Sequence, residues 1–223
     1  MKYWLLTTEY PPFFGGGIGT YSATTATMMA DHGHEVSVFI NDVTVNDIKI
    51  EKDRDVLRII RFNPSRTGSS GFLGHVTNIS YEFAHIVKEF VGKEGEPDII
   101  ESQEYLGIAY YLLQYKYLLY DWCKNIPVVV TMHSPSSLYM EYNHVPVYKY
   151  PNFWICEMER FCLEAADLLI SPSNFMLAEL NKRFRLNNQN VVTIQNPFSV
   201  KQFLASKTVS QNHEGQIVFF GKL

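Results

Sequence analysis

The chain has 223 residues, 46% of them hydrophobic and 19% charged, enough to bury a sizeable core in one large domain or two small ones. Its formal net charge of −4, with no basic run longer than the pair Lys182-Arg183, gives no electrostatic footprint for nucleic acid or an anionic membrane. Cys123, Cys156 and Cys162 have neither CxxC spacing nor an even count, and the N-terminus enters a strand directly without a signal-peptide core. Together these features point to a cytoplasmic protein with buried thiols.

The first element, Tyr3-Trp4-Leu5-Leu6-Thr7, is apolar and β-prone, and Pro11-Pro12 stop it. Four glycines, Gly15, Gly16, Gly17 and Gly19, then join it to a helix over Ile18 to His32 that Gly33 ends. Such a turn admits a ligand close to the backbone, and the helix start offers it unpaired N–H groups and a positive dipole end, which suit phosphate. A glycine-rich turn that binds nothing is the alternative. A P-loop is excluded, because no lysine occurs between Lys2 and Lys49. The dinucleotide fingerprint fails as well, since its third glycine falls on Thr20 or Ser22, although Asp42 stands where a ribose-binding acid belongs.

Glu35 to Ile40 reads as the second strand and Val56 to Phe62 as the third, with an irregular charged connection between them and a loop from Asn63 to Gly71. Phe72, Val76, Ile79, Phe83, Ile86, Val87 and Phe90 recur at three or four residues, so a long amphipathic helix runs from Phe72 to Val91, ended by Gly92 and Gly95. Pro97 to Glu101 is a short strand, and Leu106 to Lys124 an apolar helix. The apolar run here is too short and too polar to span a bilayer, so it is buried against the sheet or touches a lipid-linked substrate.

Pro127 to Met132 is the next strand, Asn152 to Ala166 a helix, Leu168 to Ser171 a strand, Asn174 to Phe184 a helix, and Val191 to Ile194 the last strand of the series. This alternation implies an α/β fold, a doubly wound parallel β-sheet of Rossmann-like type with helices on both faces. Ligands of such sheets lie beyond the carboxyl ends of the strands, which makes the glycine turn, Glu101 to Tyr105, His133-Ser134, Ser171 to Asn174 and Asn196-Pro197 the candidate residues.

Six segments, in order, carry a resemblance: Pro11 to Tyr21, Gly33 to Val38, Pro97 to Glu101, Val128 to His133, Ala166 to Ser173 and Val192 to Phe198. Together they resemble the N-terminal half of a retaining glycosyltransferase of the GT-B fold, in family 4. The resemblance implies transfer of a hexosyl group from a nucleotide-sugar to an acceptor hydroxyl with retention of configuration, and no metal. Residues 1–198 are then the acceptor-side domain and 199–216 an interdomain linker. Residues 217–223, ending in Gly221-Lys222-Leu223, look like the first strand of a truncated donor-binding C-terminal domain. The chain is thus expected to be an acceptor-side fragment, inactive alone, whose partners are a nucleotide-sugar, a glycan, lipid-linked or small-molecule acceptor, and its own C-terminal domain.

On the same resemblance, Gly16 and Gly17 hold the donor diphosphate and His133 serves as the catalytic residue at the sugar end, where a structural histidine is the plain alternative. Glu104 and Tyr105 hold acceptor hydroxyls, or are a solvated carboxylate and a packing ring. Ser173 either touches sugar or caps its helix. Asn196 stands where the family has Asn-Gly, with Pro197 replacing that glycine. The long connection from His133 to Pro151, with Tyr139, Met140, Tyr142, Tyr148 and Tyr150, offers stacking surfaces for an acceptor or forms an ordered flap. No set of His, Cys and acidic residues has metal-ligand spacing, and His32 and His34 read as surface residues. A GT-B epimerase or phosphorylase, or a non-catalytic glycan- or nucleotide-binding module, is the competing reading.

Overall fold

A computed structural model describes residues 1–68, 72–186 and 190–198. Eight strands form one sheet: β1 (Lys2–Thr7), β2 (Glu35–Asn41), β3 (Ile48–Arg54), β4 (Leu57–Phe62), β5 (Ile99–Gln103), β6 (Val128–Thr131), β7 (Leu168–Ser171) and β8 (Val191–Thr193), in the order β3-β4-β2-β1-β5-β6-β7-β8. All neighbours are parallel except β3 and β4. The sequence-order progression reverses at β1, so the switch point lies between β1 and β5, where doubly wound sheets hold their ligands.

Side chains alternate along β1. Trp4 and Leu6 join Phe39, Ile60 and Phe83 in one core, whereas Tyr3 and Leu5 join Val36, Val38 and Ile59 in another. The first core is closed by α2 (His75–Glu94), α3 (Tyr110–Tyr117) and α5 (Asn152–Ala165), through Ile86, Leu112 and Cys162 among others. The second is closed by α1 (Gly17–Asp31), through Ala26 and Ala30. Burial on both faces explains why these strands read as continuous apolar runs rather than alternating ones. Trp4, fully buried, packs its ring against Phe39 at 5.1 Å and Phe90 at 6.5 Å.

Four expectations need correction. The charged connection after β2 contains β3, an exposed strand pairing antiparallel with β4; its charges conceal a β-pattern that only the ladder reveals. Gly92 lies inside α2, which runs on to Glu94 and ends at Gly95. The apolar helix from Leu106 to Lys124 shrinks to α3, preceded by a single 3₁₀ turn at Tyr105–Gly107. Leu106 and Gly107 both take positive φ where the chain passes α5, and a Cβ on Gly107 would meet the Met158 side chain at 2.6 Å. Finally, the connection from His133 to Pro151 holds a helix, α4 (Ser136–Tyr142).

The remaining helix is α6 (Asn174–Asn181). The proposed linker 199–216 and the strand at 217–223 lie outside the described residues. Among the described residues no helix is long and apolar enough to cross a membrane. Cys123, Cys156 and Cys162 are free and buried.

Candidate functional site

Gln103 joins the two strand exits at the switch point: its Oε1 accepts from the Thr7 hydroxyl at 3.0 Å and the Thr8 N–H at 3.2 Å, and its Nε2 donates to the Thr8 hydroxyl at 2.8 Å. Just beyond, the glycine turn enters α1 with Gly16 as N-cap. The N–H groups of Gly16, Gly17 and Ile18 have no acceptor among the described residues, and the helical ladder starts with Thr20 N–H donating to Gly16 O. Gly19 differs, because its N–H donates to the Glu9 carboxylate at 3.1 Å. That carboxylate fills the space a Cβ on Gly16 would need, whereas around Gly15 and Gly17 nothing lies within 4 Å. The side of the turn at Gly17 is open, and it carries free donors.

The turn is braced from behind. Phe13 lies under the Arg61 guanidinium at 4.1 Å, and Arg61 is paired with buried Asp42 at 2.6 Å and with Glu51 at 2.8 Å. Burial raises the Asp42 pKa, but hydrogen bonds from Thr44 and Arg61 outweigh it and hold the carboxyl below its usual value. Asp42 therefore braces the turn and does not face a ribose.

His133 follows β6 and is half-buried, its ring edge-on to Tyr21 of α1 at 4.8 Å. Burial pushes its pKa down to about 4, so at neutral pH the imidazole is uncharged, one nitrogen donating and the other accepting. Tyr21 is fixed in turn by Glu101, whose buried carboxylate accepts from the hydroxyls of Tyr3 at 2.6 Å, Tyr21 at 2.7 Å and Thr131 at 2.8 Å. Burial and then the Glu101 charge raise the Tyr21 phenol, which keeps it a donor.

Glu104 departs from its expected place. It is fully buried, and its Oε1 accepts the N–H groups of His133 at 2.7 Å and Ser134 at 2.5 Å, so it clamps the His133 loop and does not present a carboxylate to an acceptor. Its Oε2 has no partner among the described residues. Burial, and then the nearby Glu159, push its pKa up to about 8. Glu159, also fully buried, accepts from Leu106 N–H at 2.9 Å, from Ser136 N–H at 2.7 Å and from the Ser136 hydroxyl at 2.6 Å; burial pushes it to about 7 against these bonds. Two adjacent buried carboxyls thus hold the β5 and β6 exits together.

Tyr105 is half-buried at the β5 exit, beside Glu104. Ser173 takes the plainer of its two roles, since its hydroxyl accepts from Met176 N–H at 3.1 Å as the N-cap of α6. Asn196 is exposed beyond β8. Pro197 and Phe198, next along the chain, line a cavity of about 440 Å³ with Pro11 and with Thr20, Thr24, Thr27 and Met28 of α1, so this segment lies beside α1. Gly16, Gly17, His133, Glu104 and Tyr105 therefore share the carboxyl edge of the sheet around the switch point.

Glu9, Tyr21 and Glu159 received no role from the sequence. For Glu159 a signal was present: a carboxylate among Ile155, Cys156, Cys162 and Leu163 on the buried face of α5. Among the described residues no group of three His, Cys, Asp or Glu is placed to hold a metal ion.

A catalytic-domain structure of starch synthase IV from Arabidopsis thaliana, bound to ADP and acarbose, aligns with TM-score 0.57 at 13% identity, covering 87% of this chain and 51% of that one. Sucrose-phosphate synthase from Thermosynechococcus elongatus aligns with TM-score 0.67 at 19% identity, covering 86% and 47%. A second sucrose-phosphate synthase chain from that organism gives 0.59 at 17%, covering 91% and 92%. The chain spans about half the length of the first two, and at these identities the likeness establishes the fold, a Rossmann-like domain of the GT-B type. No curated protein matches the chain by sequence. The model of Glycosyltransferase Family 4 matches residues 15–202, nearly the whole of what the sheet and its helices occupy, and the chain belongs to that family.

Proposed function

We propose that the chain forms the acceptor-side half of a retaining glycosyltransferase that moves a sugar from a nucleotide-sugar to an acceptor hydroxyl. The observation that carries this reading is the meeting, at one switch point, of unpaired helix N–H groups at Gly16 to Ile18 with a neutral histidine packed on Tyr21 of the same helix. The starch synthase IV structure is bound to ADP, which supports a nucleotide-linked donor.

In the transfer, negative charge develops on the departing diphosphate. Fixed N–H groups at a helix start stabilise that charge without reorganising, as oxyanion-hole donors do. His133, uncharged and pinned by Glu104 and Tyr21, is suited to hydrogen-bond a sugar hydroxyl with one nitrogen as donor or acceptor. Tyr105, half-buried beside Glu104 at the β5 exit, is suited to meet the acceptor. A second, donor-binding domain completes the site with cationic groups for the diphosphate, and no metal takes part. The half-chain by itself binds weakly and does not turn over.

The test is a screen of nucleotide-sugars against the protein carrying that second domain, with His133→Ala alongside. Loss of a positioned transition-state hydrogen bond lowers kcat/KM about a hundredfold. Unchanged transfer would remove His133 from the site, and an inverted anomeric centre in the product would remove retention.

A further inference from the structure

The first residues of α2 and α5 both lie at the carboxyl edge of the sheet, because α2 follows β4 and α5 precedes β7. Between them is a cavity of about 200 Å³ walled by Tyr150, Pro151, Trp154 and Met158 on one side and His75 and Thr77 on the other. The backbone is shaped for this wall: the Tyr150 hydroxyl sits over Gly74, where any side chain would collide with it. Met158 is followed by Glu159, which anchors Leu106 and Ser136, so the cavity is tied by one helix to the His133 loop.

The lining combines two features. Trp154 is 54% exposed and Tyr150 65%, large rings left out of the core while Trp4 is fully buried. Beside them are polar groups with unused capacity: the Thr77 hydroxyl meets only the weakly accepting Met158 sulfur at 3.7 Å, and the exposed His75 ring has no partner among the described residues. Aromatic faces flanked by free hydrogen-bonding groups complement a pyranose, whose ring face presents C–H bonds and whose rim presents hydroxyls. The cavity is smaller than the roughly 300 Å³ at which drug-sized pockets begin, which fits one ring. A membrane surface fits it poorly, since the lining is concave and holds no lysine or arginine.

We infer that this cavity is a subsite for one sugar ring of a glycan acceptor, distal to the ring that receives the transferred sugar. Trp154 precedes Glu159, the residue that holds Ser136 at the His133 loop, by five residues, about 7.5 Å along the helix axis, which sets the cavity apart from that loop. The inference rests on the acceptor-side reading above and narrows the acceptor to an oligosaccharide.

The test titrates the 223-residue chain with glucose, N-acetylglucosamine, maltotriose, cellotriose and chitotriose, read by tryptophan fluorescence and saturation-transfer NMR. At least one trisaccharide should bind saturably. Trp154→Ala should weaken it about five- to tenfold, and Trp154→Phe by less, with unchanged far-UV circular dichroism in both. His75→Ala should weaken it severalfold. Absence of binding across the panel, or equal binding by Trp154→Ala, overturns the subsite. So does a Trp154 response to phosphatidylcholine or phosphatidylglycerol vesicles alone. UDP shifts of the Gly17 and Ile18 amide resonances are followed in parallel: UDP binding without glycan binding removes the subsite alone, whereas loss of both removes the diphosphate cradle at Gly16 and Gly17 as well.

Discussion

Gly16 and Gly17 are neighbours, yet a methyl group would meet opposite surroundings at the two positions. At Gly16 it collides with the Glu9 carboxylate, so Gly16→Ala should displace Glu9 from the Gly19 N–H and cost about 0.5–1.5 kcal/mol, read as a lower Tm. At Gly17 it enters open space, so Gly17→Ala should leave stability within about 0.5 kcal/mol of the parent. The same methyl stands where a diphosphate must approach, and UDP affinity should drop about tenfold by calorimetry; undiminished binding would refute the cradle. That these glycines and His133 stand just beyond β1 and β6 was legible in the sequence, because a strand exit is a local feature. The clamp roles of Glu104 and Glu159 were not, since they arise only when β5, β6 and α5 bring two carboxyls into one buried space.

Among the elements, α6 owes its start to one side chain. Ser173→Ala removes the acceptor for Met176 N–H and should cost about 1 kcal/mol, measurable as a shift in the urea midpoint and as faster amide exchange confined to α6. A stability change below a few tenths would mean the cap contributes little, and would return Ser173 to the list of candidate sugar contacts. Long elements with apolar spacing, such as α1, α2 and α5, were readable from the chain alone. The failures at β3 and α3 have physical origins. The first hides behind Lys49, Glu51, Lys52, Asp53 and Arg54, and the second is cut short by left-handed Leu106 and Leu119, a tertiary demand that overrides helix propensity.

For the whole molecule, buried titratable groups at the site govern how stability varies with pH. Glu104 and Glu159 move from an unfolded value of 4.5 up to about 8 and about 7, so the native state holds protons that the unfolded chain has released. Their contribution is complete below 4.5 and is lost as pH rises through 7 and 8. His133 acts oppositely: lowered from 6.5 to about 4, it contributes above 6.5 and loses that contribution as pH falls through 4. Between pH 6.5 and 8 only the carboxyls act. Urea unfolding should therefore show the parent losing more than about 1 kcal/mol relative to Glu104→Gln across that window, and parallel curves would place the Glu104 proton elsewhere. At this scale the doubly wound parallel sheet was legible from strand and helix alternation, because the βαβ rhythm leaves few alternatives. The crowding of charge at the switch point was not.

Among the described residues the sheet ends in β3 on one side and β8 on the other, and the two edges differ in kind from the strands they flank. One carries five charged side chains in a seven-residue strand, and the other is only three residues long. Between them lie strands so apolar that an open edge of the same composition would template a neighbour's ladder. A charged border and a stub give a second copy little to add to, so among the described residues the apolar interior strands are shielded from a neighbour's ladder.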